Sequence, residues 1–266
     1  MAKSTALPAP FSELSPAGKF LFSSPLTEAL VVDRPNRFIV VVRFADGTEA
    51  EAHCPTTGSI GGWEIAGLRC LVSGPHPGEN RRTKFGIEAL EVPLAAGGTM
   101  MVGINQTAAN RYVEASLLSG QFLEAVGPIT ELRREKKLGT ARIDFNVDNE
   151  EFLEVKTPLN RINLDTLVPA KGSGYGSSGN PTSTDRLVKH VRELTKALND
   201  GQKAILLTCF IYDAPPFNPP RLKAYSEITE ALDTAESAGL ERWQVNYAID
   251  AEGIGFQKLQ KIETVR

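Results

Sequence analysis

The residue types and spacing most suited to chemistry in this chain are those of two carboxylates and a lysine: Asp144, Glu154 and Lys156. Apolar and polar residues alternate on both sides of Asn149, and this alternation predicts a β-hairpin. A loop centred on Asn149 places Asp144 directly opposite Glu154. Residues that face each other across a strand pair have Cβ atoms roughly 4.5–5.5 Å apart. The hairpin therefore brings two acids together, with Lys156 beside them.

Two like charges at such a distance repel each other unless a cation lies between them. Hard divalent cations such as Mg²⁺ take carboxylate oxygens as ligands. Lys156 can hold or activate a water beside that cation. The spacing therefore predicts a metal-dependent phosphodiester hydrolase in which Asp144 and Glu154 bind Mg²⁺ or Mn²⁺. The alternative is a solvated hairpin face, because short charged patterns of this kind also occur by chance.

Composition limits the class of protein. The chain has 266 residues, of which 41% are hydrophobic and 23% charged, as in globular proteins. Its net charge of −3 excludes coating of nucleic acid through bulk charge, so any such binding needs a local basic patch. The cysteines, Cys54, Cys70 and Cys209, are widely spaced, which is typical of reduced thiols in a cytoplasmic protein. No run of about 18 apolar residues occurs, so we expect no membrane partner.

The first third of the chain has the pattern of an all-β domain. Short runs rich in β-branched and aromatic residues are separated by turn signals such as Ala45-Asp46-Gly47. Roughly five such strands predict a small barrel, for which an OB-fold is a candidate. The small residues at 93–98 predict a domain boundary, so that residues 1–94 form an OB-fold-like domain. The predicted strands are 20–22, 30–33, 38–44, 48–53, 68–73 and 85–92.

Residues 95–266 have the pattern of a mixed α/β domain. The continuous apolar run at 203–212 is typical of a strand buried on both faces. Residues 171–183 are too rich in glycine and serine to pack, and we expect a loop there. The other predicted elements are strands at 100–104, 140–147, 151–157, 243–249 and 254–258, and helices at 107–118 (capped by Asn105 or Thr107), 184–199 and 221–237.

Further candidates lie on the predicted helices. Glu114, on the helix before the hairpin, can complete a metal shell; alternatively it is an exposed helix charge. On the helix that starts near Thr184, four residues three and four positions apart form a polar face. Such a face usually contacts water, but over the hairpin Arg186 or Lys189 can contact a phosphate. The four residues of this face are Arg186, Lys189, His190 and Glu193.

Two basic clusters can neutralise DNA phosphates with little sequence preference, or can simply be solvated loops. The first, Arg81, Arg82 and Lys84, lies in or near a loop of the β domain. The second, residues 133–137, precedes the hairpin. Three aromatic residues of the β domain are either core residues or stacking surfaces for single strands: Phe38, Trp63 and Phe85.

Several segments in order resemble the sugar fermentation stimulation protein A family. The resemblance covers most of residues 30–255, and the ordered set is more specific than any one segment. The matching segments are His53-Cys54-Pro55-Thr56, Val102-Gly103-Ile104-Asn105, Asn110-Arg111-Tyr112-Val113-Glu114, Arg133-Arg134-Glu135, Arg142-Ile143-Asp144-Phe145, Glu154-Val155-Lys156 and Lys189-His190-Val191-Arg192-Glu193.

The resemblance implies an N-terminal OB-fold followed by an α/β domain of the PD-(D/E)xK nuclease type. It also implies DNA binding, which we expect to be to double strands, and a link to the regulation of sugar (maltose) metabolism genes. In the implied site, Asp144, Glu154 and Lys156 match the nuclease core, Glu114 matches the helix acid and Lys189 a basic position. The oligomeric state is left open, with a homodimer as one option.

Three readings of function follow from these observations. The first is a metal-dependent nuclease acting on DNA. The second is a catalytically inactive DNA-binding regulator that keeps the nuclease fold. The third is an RNA- or protein-binding module that uses the barrel alone.

Some positions depart from the family pattern. Thr56 stands where the family usually has asparagine, and Leu187 where it usually has glycine. Residues 157–160 read Thr-Pro-Leu-Asn instead of the commoner Asn-Val-Thr, and the glycine-rich segment at 171–183 is unusual. These departures affect loops and phosphate contacts, while the two acids and the lysine are unchanged.

Overall fold

The computed structural model of the chain describes residues 7–75, 82–159, 162, 164–169, 183–218 and 226–263. Side chains at 183 and 184 are outside that description, as are most of the glycine-rich segment and the expected start of the last helix. The elements, in chain order, are β1 (Phe11–Leu14), β2 (Lys19–Phe22), β3 (Thr27–Asn36), β4 (Ile39–Arg43), β5 (Glu49–His53), β6 (Arg69–Ser73), β7 (Phe85–Pro93), β8 (Thr99–Gly103), α1 (Gln106–Leu118), α2 (Leu123–Val126), β9 (Leu132–Leu138), β10 (Ala141–Val147), β11 (Glu151–Lys156), α3 (Ser183–Asn199), β12 (Lys203–Phe210), α4 (Ser226–Ser237), β13 (Glu241–Ile249) and β14 (Gly253–Lys261).

The smaller sheet forms a closed barrel. Its strand order is β5-β4-β3-β6-β7-β8, and an additional pairing of β5 with β7 closes five of these strands on themselves. Inward residues such as Val40, Val42 and Ala52 are fully buried, as alternation along barrel strands requires. The mixed α/β class with an N-terminal OB-like barrel is therefore confirmed.

Two predicted strands belong to a different sheet from the one expected. The 20–22 segment, predicted as a barrel strand, instead belongs to β2, which pairs with β14 of the larger sheet. The 100–104 segment, predicted for the second part, belongs to β8 and pairs with β7 of the smaller sheet. The first error arises because β2 pairs with a strand that is distant in sequence, which leaves no local signal. The second arises because the small residues that predicted a domain boundary instead form the hairpin turn between β7 and β8. The division into 1–94 and 95–266 stays a prediction.

The larger sheet positions the candidate site. Its order is β1-β2-β14-β13-β12-β11-β10-β9, with β11, β12 and β13 parallel. The helix α1 packs on one face through residues such as Tyr112 and Ala115, and α3 and α4 cover the other face. Both faces of β12 are covered, because Ile205 and Leu207 pack on the α1 side and Leu206 on the α3 side. The apolar run predicted this double burial.

The basic segment at 133–137, interpreted from sequence as either a phosphate-contacting cluster or a solvated loop, forms most of β9 at the edge of the larger sheet. It pairs on one side with β10. Charged residues along an edge strand discourage pairing with another chain, which explains how so polar a segment can be a strand. Within the described ranges, no helix is long and apolar enough to cross a membrane.

Candidate active site

The predicted hairpin is present in the predicted register. Phe145 pairs with Leu153 and Asn146 with Phe152. Asp148 and Asn149 both have positive φ, at 49° and 60°, as a tight hairpin turn of this hand requires. Asp144, the residue before Phe145, is therefore the first residue of β10 beyond the regular part of the hairpin.

The hairpin is irregular at Asp144. The recorded pairs of β10 and β11 end at Phe145, and the Oδ2 atom of Asp144 accepts a hydrogen bond from the Val155 N–H at 2.8 Å. Ile143 packs on the α3 side of the sheet and Phe145 on the α1 side, although regular alternation would put both on one face. This irregularity directs the Asp144 carboxylate towards the backbone of β11.

Asp144 has a second partner on α1, since Asn110 Nδ2 donates to its Oδ1 atom at 2.7 Å. Burial is the main cause that raises the pKa of Asp144, and the charge of Glu154 raises that pKa further. The Val155 N–H, Lys156 and Asn110 act in the opposite direction. The charge of Glu154 thus acts on Asp144, but the direct strand pair of these two acids that the hairpin pattern predicted is not formed.

Glu154 is the most buried acid of the site, with 1% of its surface exposed. Its Oε1 atom accepts hydrogen bonds from Lys156 Nζ and, at 2.6 Å, from His190 Nδ1. Its Oε2 atom is buried and, within the described part of the chain, has no hydrogen-bond partner. Burial acts to raise the pKa of Glu154, but the hydrogen bond from His190 and the positive charge of Lys156 outweigh burial and hold the pKa below its ordinary value. Glu154 is therefore an ionised carboxylate with one oxygen free.

Of the four residues predicted to form a solvent-facing polar face on α3, two are buried. Arg186 and Lys189 are exposed, but His190 and Glu193 are buried at 5% and 6% exposure. Glu193 accepts a hydrogen bond from Thr140 Oγ1 at 3.0 Å and so holds the turn between β9 and β10. His190 instead forms the hydrogen bond to Glu154 Oε1. Its position beside Val191, at the margin of the apolar stripe, is the signal that the sequence offered.

One face of α1 lies along the opening of the hairpin. Three residues four positions apart on this face contact the end of the hairpin, β10 and the neighbouring strand β9, as residues on one helix face can. Gln106 Nε2 donates to the Thr157 carbonyl at 2.5 Å, and Asn110 binds Asp144. Glu114 forms an ion pair with Arg134 of β9, with Oε2 and Nη1 3.0 Å apart. The sequence analysis gave Asn110 no role, although it lies four positions before Glu114 and hence on the same face of α1.

Glu114, predicted as the helix acid, lies at the margin of the site with 14% of its side chain exposed. Burial raises the pKa of its carboxyl group, and the charge of Arg134 opposes that change. In the part of the chain that the structure describes, no group of three or more His, Cys, Asp or Glu side chains is arranged to hold a metal ion. The site thus offers Asp144 and Glu154, with Glu114 bound to an arginine.

The described DNA-contact candidates lie in two places, beside the barrel and on α3. Arg82 and Lys84 are exposed just before β7 of the barrel, and Arg186 and Lys189 are exposed on α3. Arg81 lies outside the described residues. Of the three candidate stacking residues, Phe38 is 43% exposed, with the guanidinium of Arg37 4.7 Å from its ring centre.

The other two candidate stacking residues are half-buried against the barrel core. Phe85 lies against Phe44 at a ring distance of 5.1 Å, and Trp63 packs on the barrel core. Phe38 is therefore the exposed member of the three.

Comparison with known proteins agrees with the resemblance. Residues 32–104 match the SfsA N-terminal OB domain, and residues 181–253 match the sugar fermentation stimulation protein RE domain. The sugar fermentation stimulation protein homolog of Jannaschia sp. is 31% identical over 88% of this chain and 92% of its own length. The homolog of Saccharophagus degradans is 31% identical over 71% of this chain and 76% of its own length.

A solved structure has the same fold. The structure of Pyrococcus furiosus SfsA in complex with Ca²⁺ superimposes with a TM-score of 0.68 over 92% of this chain and 99% of that chain, at 20% identity. With matches to both family domains and relatives along most of its length, this chain belongs to the sugar fermentation stimulation protein family.

Proposed function

We propose that this protein is a divalent-cation-dependent nuclease that hydrolyses phosphodiester bonds of DNA. The observation that carries the proposal is the Oε2 atom of Glu154, a buried oxygen of an ionised carboxylate that has no hydrogen-bond partner among the residues that the structure describes. A buried charge without a partner is costly. A cation shared with Asp144 would satisfy it, since the two carboxylates already interact.

The residues present fit Mg²⁺ or Mn²⁺. Mg²⁺ is usually bound through one or two carboxylates, with waters and substrate phosphates as its other ligands. Two protein acids, Asp144 and Glu154, therefore suffice. The similar Pyrococcus furiosus protein was solved in complex with Ca²⁺, which also prefers oxygen ligands, and this supports a divalent cation in the present chain.

A bound cation would stabilise the negative charge that builds up on the phosphoryl oxygens during hydrolysis. The chain's own residues would orient the ligands. Asn110 and the Val155 N–H hold the Asp144 carboxylate from two directions, and His190 holds Glu154. Such preorganisation is what catalytic electrostatics requires.

Lys156 would position the attacking water or a phosphate oxygen. Its ammonium group has three N–H donors, of which Glu154 uses one. About 30% of its side chain is exposed, so a substrate can reach it. Exposed basic residues on the barrel and on α3 (Arg82, Lys84, Arg186 and Lys189) would contact DNA phosphates without reading the sequence.

The test is nicking of supercoiled plasmid with Mg²⁺ or Mn²⁺ by the wild type and by Asp144→Asn. We expect wild-type nicking that EDTA abolishes and that Asp144→Asn lowers at least about a hundredfold, because several kcal/mol of charge stabilisation depends on the cation. Asp200→Asn is the control, since Asp200 is an exposed acid at the end of α3. Absence of wild-type nicking, or equal nicking by Asp144→Asn, would exclude the nuclease. DNA binding without nicking would identify a DNA-binding protein only.

A further inference from the structure

We propose that Arg134 is a phosphate-binding residue of the site, and that its ion pair with Glu114 couples binding of DNA to binding of the cation. This inference rests on the proposed function. It assigns a specific substrate contact to β9, the edge strand of the larger sheet, and a reason for the position of Glu114.

The first observation is that Arg134 and Glu114 each lie next to a residue that adjoins or contacts Asp144. Arg134 is the register partner of Phe145, the residue that follows Asp144 in β10. Glu114 lies one helical turn after Asn110, which donates to Asp144. The Arg134–Glu114 ion pair therefore lies at the margin of the two-carboxylate site.

The second observation is the unequal exposure of the pair. The Arg134 side chain is 45% exposed, whereas that of Glu114 is 14% exposed. A phosphate arriving from solvent meets the guanidinium first, and guanidinium groups bind phosphate oxygens in a two-pronged geometry. Because the guanidinium is the exposed member of the pair, an incoming phosphate can compete with the Glu114 carboxylate for it.

While it is paired with Arg134, Glu114 is not available as a cation ligand through its Oε2 atom. Its Oε2 atom is bound to Arg134, and no three-residue metal group is found among the residues with described positions. Once a phosphate takes over Arg134, the Glu114 carboxylate loses its partner and is free to join Asp144 and Glu154. Binding of DNA would thus supply the third acid of the cation site.

Thermodynamic linkage makes this coupling reciprocal. If a phosphate on Arg134 tightens cation binding by some factor, the cation tightens DNA binding by the same factor. Removing the guanidinium should release Glu114 permanently. A variant without Arg134 should therefore bind the cation more tightly in the absence of DNA, and should bind DNA less tightly.

The experiment titrates the full chain with Mn²⁺ alone in a calorimeter and compares wild type, Arg134→Gln and Arg133→Gln. Arg133 is a matched control because it is the adjacent residue, has the same charge, is 46% exposed and pairs with Glu131 instead. We expect Arg134→Gln to bind Mn²⁺ about fivefold more tightly or better. We expect Arg133→Gln, which removes the same charge, to bind like the wild type.

The double variant Glu114→Gln/Arg134→Gln tests whether Glu114 causes the gain, and it should lose that gain. Binding of a DNA duplex without Mn²⁺ is the second measurement. Arg134→Gln should weaken it and reduce the slope of log K against log salt by about one.

The outcomes separate the two proposals. Equal Mn²⁺ affinities for the two arginine variants, a gain that survives in the double variant, or an unchanged salt slope would overturn this inference alone. No Mn²⁺ uptake by the wild type would overturn the proposed function together with it.

Discussion

Glu154→Gln is expected to abolish measurable Mn²⁺ binding and to lower plasmid cleavage roughly a thousandfold. Glutamine keeps the shape of the side chain and an acceptor for His190 and Lys156, but it offers no negative charge at the Oε2 position. Calorimetry and plasmid nicking measure the two losses. A variant that still takes up Mn²⁺ would show that Glu154 is not a ligand.

The same substitution should also lower stability in a pH-dependent way. Because the folded protein holds the pKa of Glu154 below its ordinary value of 4.5, the ionised carboxylate stabilises the folded state at neutral pH. That contribution is present above the ordinary pKa and is lost as the pH falls through the folded-state pKa. In EDTA at pH 7 the variant should be about 1–3 kcal/mol less stable than wild type, the scale of hydrogen bonds to a buried charged group.

Glu151→Gln is the matched control on the same strand. Burial raises the pKa of Glu151, so its ionised form is disfavoured in the folded protein. Neutralising it should therefore not lower stability at pH 7, and it should leave cleavage intact. Urea unfolding between pH 7 and about pH 4 makes the comparison. A stability difference for Glu154→Gln that grows on acidification would contradict the assignment of a stabilising charge.

The sequence predicted the hairpin well because its information is local. Alternation in two neighbouring segments and two residues able to adopt positive φ, Asp148 and Asn149, determine the register without help from the rest of the chain. The pairing of Phe145 with Leu153 follows from that register. The direct pairing of Asp144 with Glu154, which the same register predicted, is not present, because the hairpin becomes irregular at Asp144 and its carboxylate accepts the Val155 N–H.

The partners of the two acids were not predictable, because they depend on how helices dock on the sheet. Asn110 and His190 lie far from the hairpin in sequence, and they reach Asp144 and Glu154 from opposite layers. Polar residues on a helix were assigned to solvent by type alone. A buried acid that needs a hydrogen-bond donor can hold such a residue inside, as His190 shows.

Strand order was the other feature that sequence could not provide. The first two strands, β1 and β2, join the sheet through β14, a strand more than 200 residues later in the chain. Phe11 of β1 packs against Tyr112 of α1 with ring centres 5.7 Å apart. The N-terminal strands therefore support the helix that carries Asn110 and Glu114.

Gly253→Ala is expected to weaken this attachment and to destabilise the protein by about 3 kcal/mol. Gly253 begins β14 and is the register partner of Leu21 in β2. A Cβ atom there would lie closer than 3.0 Å to the Phe20 carbonyl oxygen and 3.1 Å from Leu21 Cα. These are backbone atoms, so no side-chain rotation can relieve the overlap, and β2 must move away from the sheet.

Gly255→Ala is the matched control for that variant. Gly255 is two residues further along β14, pairs with Lys19 of the same partner strand, and has no atom within 4 Å of an added Cβ. We expect it to be neutral or slightly stabilising, because alanine restricts the unfolded chain. In thermal unfolding, Gly253→Ala should melt about 6–12 °C below wild type, as 1 kcal/mol corresponds to roughly 2–4 °C in a protein of this size. If both variants melted together, the contact between β14 and β2 would not be the reason for glycine at position 253.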